Sequence, residues 1–146
     1  MKKLLLICLT CKGLTAALVA QETDSIQLNK SRKVAAVQTG IASYYHDKFE
    51  GRTTANGEVF SQKNITAASN TYPLNCWVRV TNLSNKKTVV VRIIDRMHRL
   101  NKRVIDLSRS AASRLGFISK GLTRVKVEYL GKEAPQEAAA TGKEEG

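Results

Sequence analysis

Acidic residues are scarce where this chain carries its strands. Between residues 40 and 107 they are only Asp47, Glu50, Glu58, Asp95 and Asp106, so each can be weighed singly. Cysteine is equally short: Cys8, Cys11 and Cys76. The first two fall in an N-terminal leader, and the Cys76 left after its removal excludes an internal disulfide. No Cys/His spacing of a structural zinc site is present. His46-Asp47 and Asp95 with His98 are scattered ligands only, and neither metal nor cofactor is expected. A nucleophilic cysteine needs a nearby His base. None lies near Cys76, which precedes Trp77 at the start of an apolar strand and reads as a buried, inert thiol. Residues 4–19 form an apolar run, but Lys12 interrupts it, which argues against a membrane span. Internal repeats and nucleic-acid-binding motifs are absent.

The 146 residues suffice for one domain. Met1-Lys2-Lys3, the apolar run and the small residues Ala17 and Ala20 make residues 1–20 a signal peptide. Export to the periplasm or cell envelope is therefore expected. Release after cleavage near Ala20 is favoured over a lipid anchor at Cys8 or Cys11, though peripheral or lipid-anchored membrane association stays open. The alternative for this segment is a short buried or interfacial helix. Lys2, Lys3 and Lys12 account for three of the net +12 charges, leaving about +9 after cleavage. Such a balance favours anionic partners: cell-wall polymer or a membrane surface, with only nonspecific attraction to nucleic acid. The oligomeric state is unknown from sequence.

Residues 21–38 are polar and read as a flexible tether, residues 39–131 as the folded core, and residues 132–146 as a disordered tail rich in Glu, Ala and Gly. Within the core β signals dominate. Residues 40–45 are short and aromatic, and residues 77–81 and 124–129 alternate apolar and polar. Residues 88–94 form a β-branched run. The turn at Asn82-Leu83-Ser84-Asn85-Lys86-Lys87 makes a hairpin of the second and third of these strands. One helix follows Asp106 or Ser108 as cap, with Ala111, Ala112 and Leu115 on its apolar side and Gly116 ending it. Strands around a short helix point to a mainly β, small closed barrel, which removes exposed strand edges. Trp77 is assigned to the core.

Several ordered motifs carry a resemblance. They are Gly40-Ile41-Ala42-Ser43-Tyr44-Tyr45, Phe49-Glu50-Gly51-Arg52-Thr53-Thr54-Ala55-Asn56-Gly57-Glu58, Ile65-Thr66-Ala67-Ala68 and Val78-Arg79-Val80-Thr81-Asn82-Leu83. The last is Asp95-Arg96 followed by Arg103-Val104-Ile105-Asp106-Leu107-Ser108. Together they resemble the rare lipoprotein A (RlpA)-like proteins over about the whole core. The resemblance implies a six-stranded double-psi β-barrel with one or two short helices. It further implies a septal-ring lytic transglycosylase acting on peptidoglycan glycan strands, preferably those stripped of stem peptides. Glu58 and Asp95 match the family's two functional carboxylates. Ser69 stands where the family usually has His. The usual Asn-Asp-Arg-Gly-Pro run is replaced by Ile94-Asp95-Arg96-Met97-His98. Unlike longer family members, the protein is expected to carry no separate wall-binding repeat domain after the barrel.

A pair of carboxyl groups is the minimum equipment for breaking a glycosidic bond. Asp95, at the end of an apolar strand, is assigned the proton role, and partial desolvation there favours the neutral acid. Glu58 then stabilises positive charge or orients the sugar, and the two roles are exchangeable. Substrate contacts are expected from Tyr44, Ser69, Arg96 and His98, with His98 standing in for the absent histidine. Of Tyr44 and Tyr45, alternation along a strand allows only one to face the groove. The non-enzymatic alternative is an expansin-like glycan-binding or wall-loosening module.

Overall fold

A computed structural model describes residues 34–140. The expected leader with Cys8 and Cys11, most of the tether and the end of the tail lie outside the described residues. Six strands run in the order β1 (Val37–Tyr44), β2 (Thr66–Ala68), β3 (Trp77–Asn82), β4 (Thr88–Asp95), β5 (Ile105–Leu107) and β6 (Thr123–Gly131). Helix α1 (Arg109–Arg114) sits between β5 and β6, and α2 (Gln136–Ala140) follows β6. The strands close in the spatial order β1-β5-β2-β4-β3-β6. β1 with β5 and β2 with β4 are parallel, and the other pairings are antiparallel. This is the six-stranded double-psi β-barrel that the resemblance implies.

The alternation in the sequence is the reason the barrel has an inside. In β3 Val78, Val80 and Asn82 are buried while Trp77, Arg79 and Thr81 are half-buried. In β6 Val125 and Val127 turn inwards. With Val91, Ile93, Ile105 and Leu107 they fill the interior. Each such side chain contributes about 1.5–3 kcal/mol on full burial. Ser108 caps α1 by accepting from the N–H of Ala111 (3.3 Å), and Asp106 takes no part in the cap. Leu115 anchors the end of α1 in the core, and Gly116 leaves it at φ +71°. Buried Asn82 donates to the Leu115 carbonyl (2.9 Å) and accepts from Thr123 Oγ1 (3.0 Å), which locks α1 against β3 and β6.

Three expectations change. β1 begins at Val37, inside the expected tether, because its first residues pair with β6 from Val37–Glu128 onwards. α2 lies inside the expected tail: Pro135 precedes it, Glu137 occupies its first turn, and Glu137 pairs with Arg79 of β3 (2.7 Å). Trp77 is half-buried on the outside of the barrel and lines a surface cavity. It begins β3 with the outward parity of Arg79 and Thr81, so its ring is not part of the core.

Candidate active site

The turn Thr54-Ala55-Asn56-Gly57-Glu58 is built by its own side chains. Asn56 Oδ1 accepts from Thr54 Oγ1 (2.6 Å) and from the Glu58 N–H (3.1 Å), and Gly57 takes φ +90°. The turn docks on the end of β4. The Asn56 N–H donates to the Ile94 carbonyl (3.1 Å), and the Ala55 N–H donates to Asp95 Oδ1 (2.9 Å). The segments carrying Glu58 and Asp95 are thereby joined by one backbone–backbone hydrogen bond and one from backbone to the Asp95 carboxyl.

A β-bulge aims Asp95. Ala67 and Ala68 are opposed in β4 by Ile93 and Asp95, so Ile94 is an extra residue. Ile93 and Ile94 are both buried. This doubled inward step sets Asp95 on the outward side, where strict alternation from Arg92 would direct it into the core. There Asp95 lines a cavity of about 450 Å³ shared with Tyr44, Tyr45, His98, Asn101 and Asp106.

The Asp95 carboxyl has three donors. Tyr45 Oη donates to Oδ2 (2.7 Å), and the N–H groups of Ala55 (2.9 Å) and Arg96 (2.8 Å) donate to Oδ1. A carboxylate offers about four acceptor positions, so Oδ2 keeps one for a ligand in the cavity. Burial, followed by the hydrogen bond to Asp95, pushes the Tyr45 phenol far above its ordinary range. The hydroxyl therefore stays a fixed donor. Its ring packs on Phe60 (centroids 4.4 Å) and Phe49 (5.5 Å).

Glu58 points elsewhere. Its two oxygens receive both terminal nitrogens of Arg92 at 2.6 and 2.7 Å. That bidentate pair holds its carboxyl below the ordinary range. Glu58 is thus an anion whose charge is met by Arg92, suited to electrostatic work rather than proton donation.

Residues 37–127 match the model of the lytic transglycolase family. This chain belongs to that family. Among its relatives are proteins named endolytic peptidoglycan transglycosylase RlpA. The one from Haemophilus influenzae is 50% identical over 94 residues, covering 64% of this chain and 33% of that protein. The one from Pseudomonas aeruginosa is 53% identical over 91 residues, covering 62% and 27%. The one from Neisseria meningitidis is 40% identical over 133 residues, covering 82% and 56%. The chain therefore spans about a quarter to just over half of the length of these relatives. Among solved structures, a Streptomyces papain inhibitor superposes with a TM-score of 0.55 at 22% identity, covering 67% of this chain and 97% of that one. A Clavibacter michiganensis expansin gives 0.55 at 22%, covering 68% and 52%. These two share the fold alone.

Against the pattern of RlpA-like lytic transglycolases, the remaining expected contacts divide. His98 lines the cavity with Asp95, and its Nδ1 accepts from the Leu100 N–H (3.3 Å). Arg96 also borders the cavity, but its guanidinium donates to the carbonyls of Ser69 and Tyr72, the latter at 2.8 Å. It makes no ion pair with Asp95. Ser69 is not brought to the cavity. It is fully buried, donates to the Val104 carbonyl (2.9 Å) and accepts from the Thr71 N–H (3.2 Å). Tyr44 and Tyr45 both reach the cavity, against the expectation of one, because β1 ends at Tyr44 and alternation ends with it. Tyr44 is tethered to the Ile118 carbonyl (3.0 Å), while Tyr45 holds Asp95.

Asp106 is the second carboxylate of the cavity. Arg103 grips it at 2.8 and 3.1 Å, and Ser43 Oγ donates to it at 2.6 Å. The motif Arg103-Val104-Ile105-Asp106 placed the two residues three apart. Only the fold shows that the pair borders the same cavity as Asp95.

Proposed function

We propose that this chain is an exported lytic transglycosylase that cuts peptidoglycan glycan strands between N-acetylmuramyl and N-acetylglucosaminyl units. Peptide-poor strands are its substrate, and wall remodelling and daughter-cell separation its setting in the cell envelope. The observation that carries the reading is Asp95, turned outwards by a bulge into a cavity, fixed by three hydrogen bonds and left with one open acceptor position, in a chain of the lytic transglycolase family.

In the protonated form Asp95 donates to the bridging oxygen as the C1–O bond breaks and positive charge grows on the muramyl ring. Asp95, now a carboxylate, takes the proton of the muramyl 6-hydroxyl as that oxygen bonds to C1. No water enters, and the product carries a 1,6-anhydro end. The internal attack gains from proximity. Tyr45 orients the carboxyl throughout. Glu58, held by Arg92 in the turn that docks on Asp95, orients the sugar.

The purified chain from Gln21 is incubated with denuded strands, and the products are weighed by mass spectrometry. New anhydro ends that vanish with Asp95→Asn and fall with Glu58→Gln are the expected result. Strands left intact by the wild-type chain would defeat the reading. A second reading, a glycan-binding module without catalysis, draws on the pairing of Glu58 with Arg92 and the burial of Ser69. Neither residue supplies Asp95 with a titratable partner. Intact strands that sediment with the protein would select it.

A further inference from the structure

The outer face of β2, β4 and β3 carries a row of side chains that the chemistry above uses only through the pairing of Arg92 with Glu58. Thr66 pairs with Arg92, and Arg92 pairs with Trp77, so the three stand side by side across three strands. Directly opposed residues in a sheet project to the same face. Around this row is a surface cavity of about 380 Å³, lined also by Asn64, Ile65 and Val90. Ala138 of α2 borders it as well. The volume falls within the range of about 300–1,000 Å³ usual for small-ligand sites.

The lining selects a chemistry. The half-buried indole of Trp77 offers a flat apolar face with a single N–H donor. Ile65 and Val90 supply further apolar wall, and the Asn64 amide both donates and accepts. The cation of the cavity is already neutralised, since Arg92 holds Glu58 through two hydrogen bonds and keeps its remaining N–H groups for other acceptors. A compensated cation gives an anion little advantage. A neutral ring with an apolar face and several hydroxyl or amide groups fits every part of the lining.

We propose that the Trp77 cavity is a second sugar-binding subsite that takes a neutral N-acetylhexosamine unit of the glycan strand. The unit stacks on Trp77 and hydrogen-bonds to Asn64 and to the free N–H groups of Arg92. The inference rests on the glycan reading and deepens it. Arg92 links the subsite to Glu58, whose turn docks on Asp95, so a strand held at Trp77 is registered relative to the cutting position.

Trp77 is the only tryptophan of the chain, so its emission reports on this cavity directly. The full chain is titrated with the soluble tetramer of N-acetylglucosamine under tryptophan-selective excitation. A saturable change in emission is expected, and it persists in Asp95→Asn. In calorimetry, Trp77→Leu, which keeps apolar bulk and loses the flat face, binds the tetramer roughly tenfold more weakly, with the fold checked by circular dichroism. Unchanged emission, or wild-type affinity in a folded Trp77→Leu chain, overturns the inference. Strand cutting measured on the same preparation decides separately whether the proposed function stands. Cutting without an emission change removes the subsite alone, and an emission change without cutting keeps the subsite and removes the lyase.

Discussion

The hydroxyl of Tyr45 donates to Oδ2 of Asp95 across 2.7 Å, although 50 residues separate the two in sequence. A hydrogen bond to a charged group contributes about 1.5–3 kcal/mol. Tyr45→Phe keeps the ring contacts with Phe49 and Phe60 and removes only this donor. The expected outcome is a roughly ten- to hundredfold fall in kcat on glycan strands, with KM nearly unchanged and a lowered melting temperature at which the variant is still folded under assay conditions. Wild-type kcat in the variant would show that Asp95 needs no such support.

Glu58 is expected to stabilise the fold at mildly acidic pH and above, and to lose that contribution in strong acid. Arg92 holds its folded-state carboxyl below the ordinary range. The contribution is therefore present above the unfolded-state value and lost as pH falls through the folded one. The side chain is 44% exposed, so the pair contributes only about 0.2–1 kcal/mol. Melting curves of wild type and Glu58→Gln should differ slightly at neutral pH and converge in strong acid. Half-molar salt should shrink the neutral-pH gap. A gap that widened on acidification would contradict the assignment.

Ser69→Ala is expected to cost stability without touching the cavity. It strips the buried Val104 carbonyl of a donor and the Thr71 N–H of an acceptor. Leaving such groups unpaired costs about 1–3 kcal/mol, or roughly 4–8 °C of melting temperature per kcal/mol in a domain of this size. Cutting of denuded strands below the melting range should be unaltered. Loss of cutting in the folded variant would restore Ser69 to the site.

Cys76 is fully buried, and burial pushes its thiol up to about 11. In the chain from Gln21, where it is the sole cysteine, a thiol reagent at pH 8 is expected to label it only after unfolding. The thiol favours the native state below its unfolded value, and that preference fades as pH rises towards the folded one. Rapid labelling of the native protein would show the strand ends open at Trp77.

The long strands were legible because they alternate: residues 77–81 and 124–129 were bounded closely, and the hairpin of β3 with β4 followed from its turn. β2 and β5 were not, since three residues are too few to display a period of two. Asp95 was legible as an acid ending an apolar run. Its orientation was not, because it depends on Ile94 being supernumerary against Ala67 and Ala68. Arg92 and Glu58 lie 34 residues apart, and nothing local tied them. Trp77 reads as core in the sequence, whereas its place in the alternation, beside Arg79 and Thr81, turns it outwards. Alanine-rich residues after Pro135 read as tail because one short helical turn is stable only where a partner such as Arg79 waits on the barrel.

The pairing of β1 with β6 has a kinetic consequence. The first strand of the barrel is completed by the last, from Val37 opposite Glu128 to Ala42 opposite Thr123. Such non-local pairing makes for slow folding, because loop-closure entropy is met before the contacts that reward it. A growing chain holds no closed barrel until Thr123–Gly131 has emerged. The barrel closes only when its final strand arrives.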